Sequence, residues 1–164
     1  MQDVFLFSDT IFNNITLKDD SISLDQVKIA AKQIGVHDFI MSLPKNYYYN
    51  VKERGVMLSS GQRQLIAFLR VYVSDPQILI LDEATSSIDS ASEILIQNAT
   101  EKLTKNRTSL IIAHRLATVK KANNIIVMDS GNIIEQGSHK ELINNIDGYY
   151  KKLYDVQFQV KNVS

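Results

Sequence analysis

The 164-residue chain contains no cysteine, which excludes disulfides and thiolate metal sites and fits a reducing compartment. Its 18 basic and 18 acidic residues cancel, so neither a nucleic-acid footprint nor a polybasic membrane patch is expected. No apolar run approaches the roughly 20 residues needed to cross a bilayer, so any membrane connection must come through another domain or chain. The first residues lack a basic start and a cleavage site, and Asp3 and Asp9 interrupt them, which excludes a secretory signal. Glycine is sparse. The six glycines stand at 35, 55, 61, 131, 137 and 148, and no pair has the separation of a G-x-x-x-x-G-K-[ST] phosphate cradle. What is present, 45% hydrophobic and 22% charged residues, describes a soluble globular piece with one modest core.

Three blocks carry chemistry. Leu58-Ser59-Ser60-Gly61-Gln62-Arg63-Gln64 ends a loop and opens a helix, whose first turn has unpaired N–H donors and a positive dipole end suited to an anion. Gly61 lets the backbone come close. Ile78 to Leu81 reads as a buried parallel strand that delivers Asp82 and Glu83 to its carboxyl end, where open α/β sheets place their ligands. The two acids are adjacent, so their side chains diverge and can serve different tasks. Ile111-Ile112-Ala113-His114 places a histidine at the end of the next apolar strand. His37 and His139 have no such context and are read as structural.

The chain divides at Asp75-Pro76. Before it, residues 21 to about 74 read as helical. Ser23 to Gln26 has capping-box spacing, and Val27, Ala30, Ala31 and Ile34 follow on one face until Gly35. In the helix after Ser59, Leu65, Phe68, Leu69 and Tyr72 repeat at i, i+3, i+4 and i+7, a core face that leaves the helix start exposed. From residue 77 strand and helix alternate: Ile78–Leu81, a helix opened by a second capping box at Ser90 and running to about Lys105, Ser109–Ala113, then Ile125–Met128 and Ile133–Glu135 around a Ser130-Gly131 turn. Ser138 caps a further helix, and Tyr149 to Phe158 forms a terminal one. This alternation argues for parallel pairing with an antiparallel hairpin at the edge. Four Asn-x-Ser/Thr triplets, Asn14-Ile15-Thr16 among them, are expected by chance in an Asn-rich chain.

Together these blocks resemble the nucleotide-binding domain of ABC transporters, the exporter type most closely. Gln2 with the following Val4-Phe5-Leu6-Phe7 is similar to the family's Q-loop, Val51-Lys52-Glu53-Arg54-Gly55 to its exporter-specific X-loop, and Leu58 to Gln62 to its signature motif, with Ser60 where a second glycine is usual. Leu81-Asp82-Glu83 is similar to the end of Walker B, Ser86-Ser87-Ile88-Asp89 to the D-loop and His114 to the H-loop. The resemblance implies an α/β fold: part of a RecA-like P-loop NTPase core, with parallel strands and a C-terminal β-hairpin, plus an α-helical subdomain. Residues 1–20 are then the Q-loop and coupling segment, 21–74 the helical subdomain with X-loop and signature motif, and 75–164 the C-terminal half of the core. Since the family places Walker A upstream of the Q-loop, the chain looks like the C-terminal portion of a domain, inactive by itself.

The resemblance also implies roles. Glu83 would orient and deprotonate the water that attacks the γ-phosphate of ATP, His114 would contact that phosphate, and Asp82 and Gln2 would hold Mg²⁺. Ser59, Ser60, Gly61, Gln62 and Asp89 would face nucleotide in a head-to-tail pair of domains, the signature helix acting on ATP held by the other. The expected partners are that second domain and a transmembrane domain, in the same or a separate chain, at the cytoplasmic face of a membrane; no nucleic acid is expected. Two other classes fit some of the residues: a soluble ATPase of the same superfamily, which has no reason to carry the segment 51–55, and a non-catalytic interaction module.

Overall fold

The computed structural model describes residues 4–82, 90–113 and 116–161. The chain forms two units, residues 1–111 and 112–164.

The first unit is mostly helical. Helix α1 (Ile11–Thr16) is opened by Thr10, whose side chain accepts from the Asn13 N–H. Helix α2 (Leu24–Ile34) carries the expected capping box: the Gln26 N–H donates to Ser23 Oγ (3.3 Å) and the Ser23 N–H to Gln26 Oε1 (2.7 Å). It stops at Gly35, which takes φ +86°, while the Val36 N–H reaches back to the Ala31 carbonyl. Helix α3 (His37–Ser42) and two 3₁₀ turns, Asn46–Tyr48 and Glu53–Gly55, lead to helix α4 (Ser60–Ser74). Leu65, Phe68 and Leu69 are buried as the periodicity predicts, Tyr72 is half-buried, and Ile66 joins the core as well. Helix α4 is the hub: α1, α2 and helix α5 (Ser90–Thr104) all pack on it. Ser90 lies inside α5 rather than before it, so the residue that precedes this helix is outside the described residues.

Strand β1 (Ile78–Asp82) pairs in parallel with β2 (Thr108–Ile112), the Thr108 N–H donating to the Gln77 carbonyl. The expectation of a buried strand at Ile78 to Leu81 is corrected to burial on one face. Leu79 is buried, but Ile78 and Ile80 are each 68% exposed, and Leu110 on β2 is 56% exposed. One face of this pair lies against the helical core, and the other is apolar and uncovered among the described residues.

The second unit is built on a hairpin of β3 (Ile125–Asp129) and β4 (Asn132–Gly137), in register from Ile125 opposite Gly137 to Asp129 opposite Asn132, with a bulge at Val127/Met128. Ser130 (φ +48°) and Gly131 (φ +80°) both take the left-handed conformation, the requirement of a two-residue turn whose twist matches the strands. Ile125 and Val127 pack with Leu142 of helix α7 (His139–Asn144) and Tyr150 of helix α8 (Tyr149–Lys161). A short helix α6 (Leu116–Val119) precedes the hairpin.

Candidate nucleotide-phosphate site

The start of α4 is the best-defined element of the candidate site. Ser59 is the N-cap, in extended conformation; its Oγ accepts from the Gln62 N–H (3.2 Å), while its own N–H donates to Gln62 Oε1 (3.0 Å). The motif therefore completes a reciprocal capping box with its own side chains. Leu58 is buried just before it, and Arg63 Nη1 donates to the Leu58 carbonyl (2.9 Å). Ser59 and Ser60 are exposed, Gly61 is buried and Gln62 half-buried. The arrangement shows two hydroxyls and a helix dipole end to solvent from an anchored base. The serine at 60 begins the helix without disturbing it.

Asp82 ends β1 with its side chain exposed, on a different element from the Ser59–Gln62 group. Gln2, Glu83, Asp89 and His114 lie outside the described residues. The structure thus gathers Ser59, Ser60, Gly61 and Gln62 at one helix start and puts Asp82 at the strand end that the sequence assigned to it. No cluster of three or more His, Cys, Asp or Glu able to hold a metal ion occurs among the described residues.

Residues 49–55 run beside the segment before α1. The Val51 N–H donates to the Asp9 carbonyl and the Ile11 N–H to the Tyr49 carbonyl, both at 3.0 Å. Within this segment Lys52 (φ +60°), Arg54 (φ +53°) and Gly55 (φ +67°) all adopt positive φ, a strained backbone of the kind that persists only where its surroundings over-determine it. Gly55 is buried, and a Cβ there would stand 2.9 Å from Leu6 Cδ1 and 3.1 Å from Arg63 Cδ. Phe5 and Phe7 of the segment before α1, which meet edge to face at 5.0 Å, are exposed, as are Val56 and Met57 just after Gly55.

Sequence reasoning missed Asn14 and Arg70. Asn14 is fully buried and bonded to the Phe7 backbone, and Arg70 of α4 donates to the carbonyls of Asn14 and Phe5. The available signal is a polar residue between Ile11 and Ile15 on one side of a helix, which the Asn-x-Thr pattern at the same position obscures. His37 and His139 are structural, as expected: their Nδ1 atoms bond Tyr47 Oη (2.9 Å) and Tyr150 Oη (2.7 Å). Burial pushes the Tyr47 phenol up to about 12 and also raises that of Tyr150.

The family model described as ABC transporter matches residues 1–86, which include the Ser59–Gln62 helix start and the Asp82 strand end. The chain belongs to the ABC transporter family. It is 53% identical over 156 residues to the ATP-dependent lipid A-core flippase of Legionella pneumophila (strain Lens), a match covering 95% of this chain and 26% of the flippase. It is 48% identical over 157 residues to a Bacillus subtilis (strain 168) protein named for multidrug export as an ATP-binding/permease protein, covering 96% of this chain and 27% of that one. A bacterial Atm1-family ABC exporter solved with ATP bound superposes with a TM-score of 0.82 at 41% identity, over 95% of this chain and 27% of the exporter. This ABC transporter family chain thus spans about a quarter of the length of the relatives it matches. Membership implies ATP binding. Among the described residues no helix is long and apolar enough to cross a membrane.

Proposed function

We propose that this chain is part of the ATP-hydrolysing domain of an ABC exporter, coupling MgATP hydrolysis to movement of a substrate across a membrane from the cytoplasmic face. The observation that carries the reading is the self-capped, outward-facing helix start at Ser59, in a chain about half identical to export proteins over nearly its whole length. Residues 1–20 serve as the Q-loop and coupling segment, 21–74 as the helical subdomain, and 75–164 as the second half of the core. Ser59, Ser60, Gly61 and Gln62 face the phosphates of ATP held by a second nucleotide-binding domain, with Asp89 at the same interface. Glu83 takes the proton of the attacking water and His114 steadies it against the γ-phosphate. Asp82 and Gln2 hold the Mg²⁺, which supplies charge neutralisation across the phosphates. The exposed Phe5, Phe7, Val56 and Met57 provide an apolar surface for the transmembrane domain.

None of the 164 residues forms a G-x-x-x-x-G-K cradle, so the phosphate-holding lysine comes from outside this sequence and the chain alone turns over little ATP. The test is Glu83→Gln in the complete polypeptide. The amide keeps the shape but takes no proton, so hydrolysis falls by about 10²-fold or more, the usual contribution of a general base, while ATP-dependent pairing of the domains persists. Parallel loss of nucleotide binding and hydrolysis would make Glu83 structural. Turnover by the isolated chain near 1 s⁻¹, the low end of ordinary enzymes, would refute the claim that the cradle lies elsewhere.

A further inference from the structure

A polar pair, Asn14 fully buried and Arg70 half-buried, joins α4 to the aromatic surface before α1. The Asn14 side chain, fully buried, treats Phe7 as a strand neighbour would: the Phe7 N–H donates to Asn14 Oδ1 (2.8 Å) and Asn14 Nδ2 donates to the Phe7 carbonyl (3.0 Å). Nδ2 donates as well to the Thr10 carbonyl (3.0 Å), so both amide hydrogens and the oxygen are used. Arg70 closes the arrangement from α4. Its Nε donates to the Asn14 carbonyl (2.8 Å) and its Nη2 to the Phe5 carbonyl (3.3 Å). Backbone is therefore gripped on both sides of Leu6, which is itself wholly buried, while Phe5 and Phe7 stay 57% and 52% exposed. Burial of a guanidinium is costly, and this one spends its donors on main-chain carbonyls 56 and 65 residues away in sequence. It therefore fixes backbone position, and a lysine, with a point charge in place of a planar fork, cannot hold both carbonyls in the same geometry.

We propose that Asn14 and Arg70 are positioning residues that make the Phe5–Phe7 surface and helix α4 one mechanical unit, so that a displacement imposed on the two aromatic rings is carried to the Ser59 end of the helix. Arg70 stands eleven positions after Ser59, about 16 Å of helix at 1.5 Å per residue. The consequence for turnover rests on the proposed function; the mechanical link does not. A misplacement of about 1 Å in a reacting group costs up to ~10²-fold in rate, so a loosened grip would show in kcat before it shows in nucleotide affinity.

The test compares wild type, Arg70→Lys and Asn14→Asp. Amide hydrogen exchange, read by mass spectrometry on overlapping peptides that cover Phe7 and α2, and MgATP hydrolysis are both measured on the complete polypeptide in phospholipid vesicles. In Arg70→Lys, exchange at the Phe7 amide rises by about tenfold or more, as expected when charge-assisted hydrogen bonds are lost locally, while Val27, Ala30 and Ala31 of α2 keep their wild-type rates. Asn14→Asp retains an acceptor for the Phe7 N–H but sets a buried carboxylate against the Phe7 and Thr10 carbonyls that Nδ2 served, and gives a rise at least as large. In the complete polypeptide Arg70→Lys lowers kcat about tenfold and leaves the KM for MgATP within about twofold. Unchanged exchange at Phe7, or equal acceleration in α2, would overturn the mechanical link. Local loosening with unchanged kcat would overturn its role in coupling. A wild-type complete polypeptide without MgATP turnover would instead defeat the proposed function, and the exchange data would still decide the link.

Discussion

At the residue scale, two glycines with similar backbone angles separate conformational strain from steric fit. Gly35 (φ +86°) ends α2 with nothing within 4 Å of where a Cβ would sit, whereas Gly55 (φ +67°) would press a Cβ against the fully buried Leu6. Alanine at 35 meets only the left-handed penalty of about 1–2 kcal/mol. Alanine at 55 adds an overpacking cost of about 1–3 kcal/mol. Chemical denaturation should therefore show the Gly55→Ala loss at roughly twice that of Gly35→Ala; equal losses would mean that Leu6 gives way freely.

Tyr47 supplies a pH dependence. Burial raises its phenol from 10.0 to about 12, so between those values the folded chain holds a proton that the unfolded chain has released. Stability present below pH 10 is then lost as pH rises toward about 12. Tyr47→Phe should flatten this alkaline limb of a stability-against-pH curve, at the cost near neutrality of about 1 kcal/mol for the lost bond to His37. An unaltered alkaline limb in the variant would assign the loss to other groups.

At the scale of elements, α4 has two separable ends of one design. Its apolar face, Leu65, Ile66, Phe68 and Leu69, fixes it in the core, and the Ser59 capping box fixes where it begins. Ser59→Ala removes the acceptor for the Gln62 N–H and should cost about 1 kcal/mol of stability, read as a lower thermal midpoint, while Ser59→Asp should restore most of it. If alanine were neutral, the helix start would be held by packing around Leu58 and Gly61 alone. The same capping logic recurs at Ser23 and Ser138, and these two were legible because a capping box needs only four consecutive residues; the box at Ser59, read in the sequence only as a helix start, emerged with the structure. The Ser130-Gly131 turn was legible for the same reason. Helix α1 was not: six residues are too few to show a period, and its capping residue, Thr10, has no glutamate or glutamine three positions on.

At the scale of the molecule, the parallel pair of β1 and β2 presents Ile78, Ile80 and Leu110 to solvent beside unpaired strand edges, among the described residues. An apolar face with open edges is a template for pairing with other chains. The isolated chain should self-associate, with an apparent mass in light scattering that rises with concentration, and Ile80→Lys should reduce the effect. A compact wild-type monomer at high concentration would sink this expectation and imply a packing that covers the face.

The sequence by itself determined what depends on near neighbours: helix starts at Ser23, Ser59 and Ser138, the stop at Gly35, the core stripe of α4, and the order of motifs that marks the ABC transporter family. Those signals are local because capping, positive φ and helical period act over about four residues. Only the tertiary structure decided which face of β1 the helices cover, that residue 55 must be glycine because Leu6 lies against it, and that Asn14 and Arg70 hold the Phe5–Phe7 backbone. Arg70 reaches across 56 and 65 residues to carbonyl groups that every residue possesses. A bond to a main-chain oxygen leaves no mark on its partner's identity, so chain folding alone selects which carbonyls the arginine meets.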